Sequence, residues 1–135
     1  MLEVLANAAA FRAAVRRRDI ALAVLFHARW DVNSRMLRDE FGKFARTADE
    51  RIACAAMEFD DWSRVVERYR VTAVPTILIF TGGRLSGRIV GARSAARVGR
   101  DIARYLPAVP DAAGRRSAWV GVTGDRAPRA PRSPL

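Results

Sequence analysis

Two short runs, Ile20–His27 and Ile52–Phe59, are apolar almost without interruption, and they constrain this chain more than any other feature. A strand that is apolar on both faces must be covered on both sides, which places it inside a sheet with helices above and below. Successive strand residues face opposite ways, so Cys54 shares a side with Ile52 and Ala56. The surrounding segments supply the covering helices and the other strands. Leu2–Leu5 reads as a short strand, and Asn7 is placed to cap a helix over Ala8–Arg17 with Phe11, Ala14 and Val15 on one face. A second helix is expected over Ser34–Ala48, its apolar side marked by Met36, Leu37, Phe41 and Phe44. Asp60 or Asp61 caps a third, which runs through Tyr69 and buries Trp62, Val65, Val66 and Tyr69. Thr76–Phe80, the turn Thr81-Gly82-Gly83 and Leu85–Val90 form a hairpin. Gly91 then leads into a last helix, Ser94–Leu106, with Val98, Ile102 and Leu106 on one stripe. The order βαβαβαββα predicts an α/β fold with helices on both faces of one sheet.

At 135 residues one domain suffices, and a chain of this size buries about two-thirds of its unfolded surface without a disulfide or metal staple. Composition changes at Pro107, since five of the six prolines lie from there onward. Residues 1–106 therefore read as the folded domain. Residues 107–135 read as a basic Pro/Gly/Arg-rich tail, largely disordered and broken by the apolar island Ala118-Trp119-Val120. The net charge of +10 divides as +7 on the domain and +3 on the tail. That balance favours an acidic partner, either a protein or extended peptide or, through the basic core and tail, nucleic acid. It does not choose between them, because all but Lys43 of the 24 basic residues are arginine. A GC-rich genome produces that skew as readily as selection for a basic surface.

One cysteine excludes intramolecular disulfides, CxxC redox pairs and cysteine-rich zinc sites together. One histidine removes most of the raw material for His-rich metal sites and Ser-His-Asp arrangements. No metal or cofactor is expected. The arginines of Met1–Arg18 follow the apolar residues, the reverse of a secretory signal, and the longest apolar run, Ile20–Phe26, is too short to span a bilayer. The expectation is a soluble intracellular protein, cytoplasmic by default and not membrane-bound.

Two local signatures go further. Ala23-Val-Leu-Phe-His-Ala-Arg-Trp30 precedes a helix, and Ala73-Val-Pro75-Thr-Ile-Leu-Ile-Phe80 precedes Gly82-Gly83-Arg84 and Val90-Gly91. With 45 residues from Trp30 to Pro75, residues 2–106 resemble the thioredoxin family without any insertion. The resemblance implies a thioredoxin-like fold, a central mixed β-sheet flanked by helices on both faces, with a flexible C-terminal tail. It also implies a cis-proline at Pro75, an edge hairpin and a close-packing glycine at Gly91. The chemistry does not carry over. Where thioredoxins have Trp-Cys-Gly-Pro-Cys-Lys, this chain has Trp30-Asp31-Val32-Asn33-Ser34-Arg35, so Asp31 and Ser34 stand at the two cysteine positions. The family's buried aspartate falls at Leu25 and its partner lysine at Ala56. Disulfide exchange needs an attacking thiolate and a second thiol, and a carboxylate and a hydroxyl supply neither. The chain is therefore expected to be catalytically inactive, with no catalytic residues.

Asp31 reads as a helix N-cap, with general acid or base work as the competing role. Ser34 is a first-turn residue or an alternative cap. Cys54 is a core residue rather than a nucleophile, and His27 a packed histidine rather than a base. What the resemblance leaves is a peptide-binding groove of Trp30, Val74, Pro75, Gly91 and Ala92, with Arg29, Arg35 and Arg93 as a basic rim suited to acidic extended peptides. The implied function is protein or peptide binding, as a chaperone, scaffold or subunit of a larger complex. Two specialised relatives are resembled as well. His27-Ala-Arg-Trp30-Asp31, Asp39-Glu40 and the basic patch Gly114–Gly121 resemble the thioredoxin-fold protein of the U5 spliceosomal particle. That would imply a ribonucleoprotein role dominated by phosphate contacts. Ile79-Phe-Thr-Gly-Gly83 and Gly91-Ala-Arg93 resemble the hydrogenase-maturation chaperones, which lack the cysteines and bind a signal peptide. The remaining class is an enzyme using Asp31 or Cys54 in other chemistry.

Overall fold

A computed structural model describes residues 2–17, 19–48, 50–59 and 64–106, together with the backbone of 109–110 and 116–117. The chain runs β1 (Leu2–Val4), α1 (Ala8–Val15), β2 (Ala21–His27), α2 (Val32–Thr47), β3 (Ile52–Glu58), α3 (Arg64–Arg68), β4 (Thr76–Thr81), β5 (Arg84–Val90) and α4 (Ala95–Ala103). Two further strands, β6 (Val109–Pro110) and β7 (Arg116–Ser117), pair with each other. The main sheet has the order β1-β3-β2-β4-β5. β3 is parallel to β1 and to β2, whereas β4 is antiparallel to β2 and to β5. The sheet is therefore mixed, as expected, with the two apolar runs as neighbours near its middle.

Side-chain alternation divides the core into two layers. On one face Ala23 and Leu25 of β2, Cys54 and Ala56 of β3, and Ile77 and Ile79 of β4 pack under Leu37 and Phe41 of α2 and Val98 and Ile102 of α4. On the other face Val24, Phe26, Ala55, Leu78 and Phe80 meet Phe11 of α1 and Val65 and Val66 of α3. Phe11 sits at the centre of an aromatic cluster, with ring centroids 5.7 Å from both Tyr69 and Phe80. Cys54 faces the same layer as Ile52 and Ala56. The hairpin turns through Gly82 and Gly83, whose φ values of +61° and +81° are those of a tight two-residue turn.

Several boundaries and one helix face differ from the sequence expectation. α2 begins at Val32, two residues before Ser34, because Asp31 takes the cap and sets the first turn earlier. Its buried line is Ser34, Leu37, Phe41, Phe44 and Ala45, so Met36, one residue or about 100° from Leu37, is turned outward and 54% exposed. α4 ends at Ala103 with Arg104 as its C-cap, leaving Leu106 half-buried beyond it. The capping expected of Asp60 or Asp61, the burial expected of Trp62 and the character of the 107–135 tail outside β6 and β7 lie outside the described residues. Among those residues no helix is long and apolar enough to cross a membrane.

Candidate functional site at the C-terminal end of the central strand

β2 ends at His27, and Phe26 is paired with Thr76 at the start of β4, which is paired in turn with Val90 at the end of β5. The register therefore brings three connections to one end of the sheet: Ala28–Asp31 into α2, Ala73–Pro75 into β4, and Gly91–Ser94 out of β5. All the residues expected to form the groove lie on these connections.

The first connection is tightly hydrogen-bonded. Asp31 caps α2, its carboxylate accepting the Ser34 N–H at 2.7 Å, while its own N–H donates to the Ala28 carbonyl at 3.1 Å. Ser34 is fully buried in the first turn and accepts the Ala28 N–H on Oγ at 3.1 Å. Of the pair, Asp31 is therefore the cap and Ser34 the first-turn residue. Ser34→Ala leaves a buried N–H without its acceptor and should cost about 1–3 kcal/mol. Asp31→Ala, at a half-exposed cap, should cost about 1 kcal/mol. Denaturant unfolding of the two variants checks both the sizes and their order.

His27 is buried, and its pKa is held below 6.5 first by burial and then by Arg38, against the opposing pull of Glu58. It is neutral at pH 7. Under the site, Leu25 and Ala56 are direct partners across β2 and β3, and both are fully buried. The positions of the family's buried aspartate and lysine are thus occupied by two apolar side chains in contact register. Among the described residues no cluster of His, Cys, Asp and Glu could hold a metal ion.

The second and third connections face outward. The Val74–Pro75 peptide bond is cis, Pro75 is buried and Val74 half-buried. Gly91, at φ +102°, donates its N–H to the Pro75 carbonyl at 3.0 Å, which ties the two connections together. Neither the N–H nor the C=O of Val74 has a hydrogen-bond partner among the described residues. Trp30 is 74% exposed. Val32 and Met36, one turn apart at the start of α2, are also exposed, two apolar surface positions that the sequence reading missed. The signal was present, because a buried line through Ser34, Leu37 and Phe41 excludes both positions.

The three arginines expected on the rim are not equivalent. Arg29 makes a surface pair with Glu58 at 3.4 Å, and Arg35 donates to the Arg29 carbonyl at 2.7 Å. Exposed contacts of this kind contribute little and leave the charges available. Arg93 is different: its guanidinium is mostly buried, bonded to Asp101 at 2.5 Å and to the Val90 carbonyl. It points toward α4, where Asp101 sits.

The thioredoxin family profile matches residues 3–104 of this chain. A thioredoxin of Echinococcus granulosus is 33% identical over 77 residues, 57% of this chain and 71% of that protein. A chloroplastic M-type thioredoxin of Chlamydomonas reinhardtii is 25% identical over 96 residues, 71% of this chain and 69% of that one. Among solved structures, Fasciola hepatica thioredoxin superposes with a TM-score of 0.67 at 24% identity, covering 77% of this chain and 99% of that one.

Proposed function

The chain belongs to the thioredoxin family and lacks its CxxC dithiol, and from those two facts we propose that it works by binding an extended, acidic segment of a partner protein rather than by disulfide exchange. The observation that carries this is Val74: a residue whose backbone N–H and C=O have no partner among the described residues, beside a cis-proline and across the same end of the sheet from an exposed Trp30. An extended segment laid along such a residue gains backbone hydrogen bonds, and an exposed indole supplies apolar contact area at little conformational cost. Arg29 and Arg35 bias the edge toward acidic sequences. The segment's role in a chaperone, a scaffold or a larger complex follows from which partner carries it.

Two measurements test this. In a disulfide-reduction assay beside a competent thioredoxin the protein should show no turnover. An acidic peptide should protect the Val74 amide from hydrogen exchange, and Trp30→Ala should weaken its binding about tenfold or more, as removal of a buried interface tryptophan does. Unchanged affinity in Trp30→Ala would place the binding surface elsewhere on the domain.

A further inference from the structure

Between β5 and α4 lies an open cleft of about 250 Å³, lined by Arg88, Arg93, Arg97 and Arg104, with Asp101 the one acid among its lining residues and Tyr105 at its side. Two of these four arginines are engaged: Arg88, paired with Leu78 on the opposite face of β5 from Ile89, turns its guanidinium to the α3 side, and Arg93 has an acid partner. Arg88 donates to the carbonyls of Tyr69 and Arg70 at 2.7 and 3.1 Å, and Arg93 is held by Asp101. Arg97 and Arg104, two helical turns apart on one side of α4, have no side-chain partner among the described residues. The cleft thus holds the guanidinium of Arg93 paired with the buried Asp101, and beside it Arg97 and Arg104, which no acid among the described residues compensates. Natural surfaces intersperse charges of both signs, and a concavity with a surplus of cations focuses its field on an anion.

We propose that this cleft binds a phosphoryl group, carried as a phosphorylated side chain on the partner segment. A phosphoryl dianion presents three acceptor oxygens and a charge close to −2, which matches the guanidiniums of Arg97 and Arg104, whose planar forks donate in pairs. A carboxylate neutralises one of them. A nucleotide fits less well, because the Tyr105 ring that could stack a base is committed: it lies so close over Gly87 that a Cβ there would collide with it. Val90 lines the cleft and is followed by Gly91, which is hydrogen-bonded to Pro75, so a segment leaving the Val74 edge along the third connection reaches Arg93 and Arg97 next. The choice of a peptide as carrier rests on the peptide-binding function proposed above, whereas the anion site stands on the arginines themselves.

The test uses the full chain and two short randomised peptide pools, identical except that one has a central phosphoserine and the other serine. The phosphoserine pool should bind about tenfold or more tightly, the effect of one or two charge-assisted hydrogen-bond pairs. The Arg97→Gln/Arg104→Gln double variant should abolish that preference while keeping the serine pool's affinity and the unfolding midpoint, since both side chains are exposed. Trp30→Ala should weaken both pools equally and keep their ratio. Equal binding of the two pools by the unaltered protein overturns the phosphoryl site and leaves the Val74 edge intact. Failure of both pools to bind overturns site and edge together. Tighter binding of single-stranded RNA than of the phosphoserine pool, lost in the same double variant, assigns the cleft to nucleic acid and overturns the peptide carrier.

Discussion

Cys54 in the folded protein should react with a disulfide reagent at pH 8 at least about a thousandfold more slowly than an exposed cysteine. The thiol is buried in the α2-side core between β3's neighbours, and burial pushes its pKa from 9.0 up to about 12. Attack on sulfur requires the thiolate. At pH 8 a thiol titrating at 9.0 is ionised in about one molecule in ten, and one titrating at about 12 in about one in ten thousand. Exclusion of the reagent from the core slows the reaction further, so labelling should follow the unfolding rate and become independent of reagent concentration. Denaturant should restore ordinary reactivity. A second-order reaction in native buffer at the rate of a small-molecule thiol would show that Cys54 is accessible. The same burial sets a direction for stability. The folded thiol keeps its proton while the unfolded chain loses it, so stability should fall as pH climbs from 9.0 toward about 12. Cys54 therefore does not replace the missing pair.

Much of the fold was legible because its strongest signals are local. β2 and β3 are too short and too apolar to be anything but interior strands, and Asn7, Ser94 and the Gly82-Gly83 pair mark helix starts and a turn by side-chain and backbone chemistry that does not depend on tertiary context. Met36 was misplaced because a helical stripe has a width, and apolar residues at its margin fit either side of it. The cap decides the phase. Once Asp31 holds the Ser34 N–H, the buried line runs through Ser34 and Leu37, and Met36 falls outside.

The site was legible in part, for a related reason. Trp30, Val74 and Pro75 sit on connections whose positions follow from strand order, so knowing the topology is nearly enough to place them. Arg93 shows where that stops. Its sequence position beside Gly91 and Ala92 predicts a place on the rim, but the direction of a long side chain is chosen by its best partner, here Asp101, eight residues later on α4. The cleft of Arg88, Arg93, Arg97 and Arg104 was invisible for the same reason. Its residues come from a strand, a loop and a helix, and in a chain this rich in arginine no linear spacing distinguishes them.

Restoring the two cysteines alone should not restore a thioredoxin. In the Asp31→Cys/Ser34→Cys double variant, the first thiol would sit at the N-terminus of α2, where the helix dipole favours a thiolate, and the second in the fully buried first turn. An oxidisable dithiol is the expected gain, seen as a reversible change in free-thiol content. Turnover in disulfide reduction should nevertheless stay about a hundredfold or more below a competent thioredoxin. Releasing a mixed disulfide requires the second thiol to lose its proton, and positioned acid–base groups contribute about 10²–10⁴-fold to such steps. Leu25 and Ala56, which face each other beneath the site, have no proton to accept or give. Adding Leu25→Asp should raise turnover at a cost in stability, because a carboxylate among apolar neighbours lacks a cation at Ala56 to pair with. If the double variant alone matched the control enzyme, Leu25 and Ala56 would be irrelevant to the chemistry. The deficit would then lie only at positions 31 and 34. The register argues otherwise: the loss is spread over two layers of the fold, and the outer layer has been rebuilt around a capping carboxylate and a buried hydroxyl that serve the helix instead.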